Sequence, residues 1–266
     1  MQLKIYPSSP VLQSLIKCYY VSESDYTEYV KDVFFADGCV EVVFHVGLDF
    51  YRGEEKECWA KVIGQITQPL TVKAIGKGKS FGIWFFTHTF SLFSDIPLNE
   101  LNDKIISLDN IFSPAFIDFV KNCLLENDIK SLVEEMNIYL FKKLRTSSNP
   151  IKEKIAAHAV QYILTEKAAS NLDKLVKDCN ISNRYLQKIF LEKIGFSPKF
   201  FIRIARFQHA LHHLINCSNG SLTTLAYQSG YYDQAHFIRE FKEFTGLFPS
   251  QFQLTRHPIN QYFLNL

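Results

Sequence analysis

Ser221-Leu222-Thr223-Thr224-Leu225-Ala226-Tyr227-Gln228-Ser229-Gly230-Tyr231-Tyr232-Asp233-Gln234-Ala235-His236-Phe237-Ile238-Arg239-Glu240-Phe241 reads as two short helices folded across a tight turn. Ser221 suits an N-cap, because its hydroxyl can accept from first-turn amides. Leu222 and Leu225-Ala226 give the first helix its inward face, and Gly230 ends it four residues after Ala226. A small residue followed by a glycine at this spacing lets two helices cross closely. Tyr231 plugs the turn and Asp233 caps the second helix. Phe237 and Phe241 then face inward, leaving Gln234, His236 and Arg239 outward.

The same pattern occurs once earlier. Leu172, Leu175, Val176 and Cys179 fall at i, i+3, i+4 and i+7, a single apolar stripe. Asn180 tolerates the left-handed conformation needed to stop the helix. Ile181 fills the turn and Ser182 caps the next helix. Leu186, Ile189 and Phe190 face inward there, with Arg184, Gln187 and Lys188 on the other side. The two caps, Ser182 and Asp233, lie 51 residues apart, and a long helix over about Pro198 to Asn216 spans the gap. A major groove admits one helix, whose first turns read base edges through Arg, Lys, Gln and Asn. Two such units about 34 Å apart would enter successive grooves on one face of a duplex.

These residues resemble a known family. Gly230-Tyr231-Tyr232-Asp233-Gln234-Ala235-His236-Phe237-Ile238-Arg239-Glu240-Phe241-Lys242 with Thr245-Gly246-Leu247-Phe248-Pro249-Ser250-Gln251-Phe252 resembles the signature of AraC/XylS-type transcription regulators. Ile181 to Phe190 and Gly195-Phe196-Ser197-Pro198 match that family's first unit, so the resemblance covers roughly residues 155 to 256. It implies a seven-helix DNA-binding domain with Arg184, Gln187, Lys188, Gln234, His236 and Arg239 as base readers. The positions that shape its turns are Asn180, Ala226 and Gly230. Val176 and Asn180 replace the family's usual Ala and Gly, from which a slightly opened first turn is expected. Phe252-Gln253 replaces a usual Tyr-Arg, which removes one phosphate contact.

The first hundred residues read as β structure. Val40 to Val46, Trp59 to Gln65, Leu70 to Ile75 and Phe81 to Phe86 are short β-branched and aromatic runs. They are punctuated by Gly47, Gly64, Pro69, Gly76-Lys77-Gly78 and Gly82, as in a barrel or sandwich. Helical spacing follows over Pro114 to Leu125 and Ile129 to Leu144. Phe35-Ala36-Asp37-Gly38-Cys39-Val40-Glu41, Val62-Ile63-Gly64-Gln65, Gly82 to Phe85 and Leu98-Asn99-Glu100-Leu101 resemble a sensor-like domain found ahead of this DNA-binding unit in some bacterial regulators. That resemblance implies a cupin-like, effector-binding or dimerising domain and names no ligand. Asp37, Gly38 and Glu41 are read as a hairpin turn with an outward strand residue, the alternative being a pocket lining. Trp59, Trp84 and the phenylalanines are read as core.

Composition sets the outer bounds. The 266 residues are 47% hydrophobic and 21% charged, ordinary for folded protein. The six cysteines are 19 or more residues apart and form no zinc or disulfide pattern, so they are read as reduced, mostly buried thiols. No secretory leader or membrane span is read, which fits a cytoplasmic protein. Residues 1 to 150 carry a net charge of −4 and residues 151 to 266 carry +6, so the second half is the one suited to an anion. Nucleophile elbows, phosphate loops and HExxH are missing, and no enzyme is expected. His209, His212 and His213 have ligand spacing on one helix, but no fourth donor accompanies them, and no metal or cofactor is expected.

The expected fold is therefore α+β. A β-rich, barrel-like unit with terminal helices occupies residues 1 to 145, residues 146 to 150 link it, and an all-α double helix-turn-helix domain occupies 151 to 266. The expected partners are promoter DNA, a small-molecule effector, a second copy and RNA polymerase. Two other readings stand beside this one. The first is an Ada-like, alkylation-responsive regulator with a reactive cysteine, and the second is an interaction protein that has lost DNA binding. The apolar tail, Pro258 to Leu266, has no assigned role.

Overall fold

Three long strands carry the N-terminal half: β2 (Ile16–Phe34), β3 (Val40–Arg52) and β6 (Leu70–Phe85). Around them β1 (Gln2–Tyr6), β4 (Glu55–Lys56), β5 (Ala60–Ile63) and β7 (Ile105–Ser107) complete one antiparallel sheet in the order β1-β2-β6-β3-β5-β7, with β4 paired to β3. The computed structural model describes residues 2–108, 111–145, 149–166, 171–216 and 221–252.

The two runs predicted on either side of Gly76-Lys77-Gly78 are a single strand, β6, paired with β2 on one side and β3 on the other. The glycines serve close approach. Gly76 and Gly47 sit at φ +112° and +76°, where the β3–β6 register shifts, and a Cβ on Gly78 would strike the Val46 carbonyl. Gly82 likewise leaves room for the Tyr20 ring lying across it.

Period-two alternation gives the sheet two faces. Tyr19, Val21, Val42, Phe44, Phe81 and Ile83 belong to one core with the helices α2 (Pro114–Glu126) and α3 (Ile129–Lys143). Ser113 and Asp128 cap these two helices by accepting from Phe116 and Ser131 amides. Between sheet and helices run a 3-10 turn (Thr87–Leu92) and the short α1 (Leu98–Leu101).

From residue 149 onward the described chain is helical: α4 (Pro150–Glu166), α5 (Leu172–Asp178), α6 (Asn183–Lys193), α7 (Pro198–Asn216), α8 (Leu222–Gln228), α9 (Gln234–Thr245) and α10 (Pro249–Phe252). The expected linker is described only at Asn149 and Pro150, and Pro150 already begins α4. Residues 146 to 148, Cys217, Gln253 and the tail 258 to 266 lie outside the described residues.

The two halves share packing. Phe35 and Ala36, in the β2–β3 connection, belong to the core of the helical half. Phe35 meets the Phe252 ring at 5.5 Å, and Gln208 on α7 donates to the Ala36 carbonyl. Asn102 donates to the Gly195 carbonyl at 2.9 Å.

Candidate nucleic-acid interface

Both helix-turn-helix units close as their residues require. In the first, the Asn171 side chain accepts from the Asp173 and Lys174 amides, and α5 ends at Cys179. Asn180 takes φ 51°, and Ser182 Oγ accepts from the Tyr185 amide at 3.2 Å to start α6. In the second, Ser221 Oγ accepts from Thr223, Gly230 takes φ 78°, and the Asp233 carboxylate accepts from His236 at 2.7 Å to start α9.

The opened first turn does not occur. Asn180 and Ile181 donate to the carbonyls of Lys177 and Val176 at 3.0 and 3.1 Å. Gly230 and Tyr231 donate to those of Tyr227 and Ala226 at 3.0 and 2.9 Å. A short polar side chain in the left-handed region therefore reproduces the glycine turn, and Val176 is accommodated in the core.

The predicted readers separate into two kinds. Arg184, Gln187 and Lys188 on α6 and Arg239 on α9 are exposed. Lys188 lies 3.9 Å from Glu192 one turn on, a loose surface pair. Gln234 and His236 are half-buried and engaged within the protein. Gln234 Oε1 accepts from Thr223 Oγ1 at 2.6 Å, tying α9 to α8. The His236 ring stands edge-on to Tyr231 at 5.3 Å, and its Nε2 lies 4.0 Å from Glu240.

Residues 175–255 match a family described as a helix-turn-helix domain. That match and the relatives it accompanies support an AraC-type helix-turn-helix domain in the C-terminal half. Over 139 residues the chain is 27% identical to an uncharacterised HTH-type transcriptional regulator of Haemophilus influenzae, covering 47% of this chain and 45% of that protein. Over 125 residues it is 26% identical to the arabinose operon regulatory protein of Escherichia coli, covering 46% and 42%. The chain thus spans less than half the length of the curated relatives it matches. ToxT from Vibrio cholerae aligns over 89% of this chain and 97% of its own at 13% identity, with a TM-score of 0.45. Residues 4–107 match a family described as a domain of unknown function (DUF6597).

Within the AraC-type domain, a group of charges absent from the sequence reading fixes α9. Glu240 is only 4% exposed, on the inward face between Phe237 and Phe241. It accepts from Arg203 Nε at 2.7 Å and from Arg206 Nη2 at 2.9 Å, both on α7, and Arg206 also stacks on Tyr231 at 4.5 Å. Arg203 reaches Glu243 as well, at 2.6 Å. An acid at a core position, with arginines at i and i+3 on the preceding long helix, is a signal the sequence does contain. Tyr232, beside the α9 cap, is the other unforeseen feature, with 86% of its surface open to solvent. His209 and His213 face each other at 3.2 Å between Nε2 atoms, and the described residues hold no group of three metal-ligating side chains.

The N-terminal half corrects one expectation. Asp37 and Glu41 line a cavity with Trp84, Ile63 and, from α7, Gln208. The β2–β3 connection folds toward the helical domain, so it is no free hairpin tip; a Cβ on Gly38 would lie 3.1 Å from Phe201. Trp84 is thus a cavity wall, and its indole and the Tyr20 hydroxyl donate to Glu41. Burial nevertheless raises the Glu41 carboxyl to about 7. Burial also raises Asp37, against the Cys39 amide that lowers it. Trp59 keeps its core role, packed on Phe44 at 6.1 Å. The thiols are less buried than expected: Cys18 and Cys123 are inside, Cys39 and Cys179 intermediate and Cys58 exposed. No described helix is long and apolar enough to cross a membrane.

Proposed function

We propose that this chain is a sequence-specific regulator of transcription that binds double-stranded DNA, with α6 and α9 entering successive major grooves. One observation carries the reading: two separately capped helices, each with outward polar side chains, pack against the same helix, α7. Arg184, Gln187, Lys188 and Arg239 are exposed where they can reach base edges, and each bidentate contact of this kind discriminates by about 1–3 kcal/mol. Gln234 and His236 join them at the groove wall while bracing α9. Phosphate contacts from Lys, Arg and the helix N-termini supply most of the affinity. The lactose and arabinose operon regulators among the relatives support this class.

The same proposal divides the chain at residues 146 to 150. Residues 1 to 145 receive a small-molecule signal or pair two copies, and 151 to 266 bind the operator. It places the protein in the cytoplasm, with RNA polymerase as the further partner and no catalysis of its own. Phe34 supports the coupling of the two halves, because it lines the cavity beside Glu41 while Phe35, the next residue, packs in the helical core. The alkylation-responsive alternative gains nothing from Cys18 and Cys39. Burial pushes Cys18 up to about 11 and Cys39 up to about 12, away from the reactive thiolate.

A genomic binding selection with the full chain, repeated at raised salt, tests the proposal. It predicts a recovered site of two boxes about one helical turn apart that survives moderate salt. Binding with no sequence preference that collapses with salt overturns it.

A further inference from the structure

Lys61 stands on the sheet face turned away from α2 and α3. Its neighbour Val62 enters the core beneath, so Lys61 and Ile63 project the other way, opposite Val43 and Glu41 of β3. The residue is 3% exposed. Among the described residues its ammonium makes no ion pair and no hydrogen bond; the Phe50 ring lies 5.4 Å from it, and Glu57 and Glu41 act on it from beyond ion-pair distance.

The nearest acids are committed elsewhere. Glu57 is bound by Arg52 at 3.2 Å, and Glu41 accepts from Tyr20 and Trp84. His45 adds no second cation: burial keeps its imidazole neutral, and its Nδ1 is engaged with Ser80 at 2.7 Å. Burial lowers Lys61 to about 8, so it is still mostly charged at neutral pH. A buried charge is costly unless it is paired. An unpaired ammonium facing a cavity is therefore short of one anion.

The cavity describes the rest of the molecule that would bring that anion. It encloses about 690 Å³ of space free of atoms, the part open to solvent included. Its walls near Lys61 are Val43, Phe50, Ile63, Leu70 and Val72. A single cation favours a monoanion, since a second negative charge would be repelled by Glu57 and, once it ionises, by Glu41.

We infer that this cavity binds an apolar monocarboxylate, its carboxylate paired with the Lys61 ammonium and its hydrocarbon body laid against Phe50, Ile63, Leu70 and Val72. The inference rests on the reading of the N-terminal half as the receiver of a signal, and it names the chemical class of that signal.

The test is thermal unfolding of the full-length protein, without DNA, in octanoate, octan-1-ol and octylamine, which share a chain and differ in charge. A second acid, 4-phenylbutyrate, covers a preference for an aromatic body. A carboxylate at ten times its Kd raises Tm by about 3 °C, while the alcohol and the amine leave it unmoved. Lys61→Met loses that response and still binds DNA. Equal shifts from acid and alcohol, no shift from either acid, or an unaltered response in Lys61→Met overturns the inference. If Lys61→Met does not fold, the headgroup series on the wild-type chain decides alone. Because no DNA is present, failure here is distinct from failure to recognise an operator.

Discussion

At the scale of single residues, exposure separates the proposed base readers into two kinds. Arg239 is exposed on α9, three residues beyond the half-buried His236. Arg239→Ala should weaken binding to the specific site by about 1–3 kcal/mol and to random DNA much less, measured by competition binding. Equal losses on both would make it a phosphate contact. Glu41 gives a pH signature. Its carboxyl is raised from an ordinary 4.5 to about 7, so between those values the folded chain holds a proton that the unfolded chain releases. Stability should therefore fall as pH rises through that window, and the cost is fully present above it. Denaturant melts from pH 4.5 to 8 should show a flatter profile for Glu41→Gln; an unchanged profile would mean Glu41 is ionised throughout. These two residues differ in legibility. Arg239 was readable from its helical phase, whereas Glu41 looked like an outward strand residue because only the fold of the β2–β3 connection encloses it.

At the scale of elements, helices of seven to nineteen residues are aimed by caps and by one buried charge cluster. The Asp233 carboxylate holds the first turn of α9 through the His236 amide. Asp233→Ala should cost about 1 kcal/mol, and the loss should appear in DNA affinity as well as in chemical denaturation. Glu240 matters more. Replacing it with Ala would leave Arg206 without its carboxylate and Arg203 with Glu243 alone, a loss of about 3 kcal/mol. Amide exchange should then rise first in α9, and unchanged protection there would show that α9 is held by its phenylalanines alone. Caps, turns and the inward stripes of α5, α6, α8 and α9 follow from local chemistry and were legible. The strands were less so. Gly76-Lys77-Gly78 looks like a break in one dimension and becomes a close crossing once β3 lies alongside.

At the scale of the whole molecule, the two halves meet through the β2–β3 connection and through the 3-10 turn and α1, which pack on α4 and α6. Phe35 and Ala36 leave the sheet to complete the helical core, and Gln208 anchors that excursion. Phe35→Ala should remove about 3 kcal/mol. It should also split a single calorimetric transition into two, one for the sheet with α2 and α3 and one for the helical domain. A single transition in the variant would show that the halves are coupled by other contacts. The cavity lies next to this connection, with Phe34 and Glu41 in its wall. A ligand that shifts β3 against β2 therefore has a short mechanical path to α7, on which both helix-turn-helix units pack.

The sequence by itself determined the two helix-turn-helix units, their caps, the outward residues and the β character of the first hundred residues. Each depends on periodicity and hydrogen bonding within a few neighbouring positions. Only the tertiary structure decided that β6 is continuous, that Asp37 and Glu41 line a cavity, that Glu240 is buried between two arginines and that Lys61 is buried with no ion pair among the described residues. Those properties depend on which distant groups share a low-dielectric space. Burial and pairing across such sequence distances are set by packing, and the local pattern of residues does not encode them.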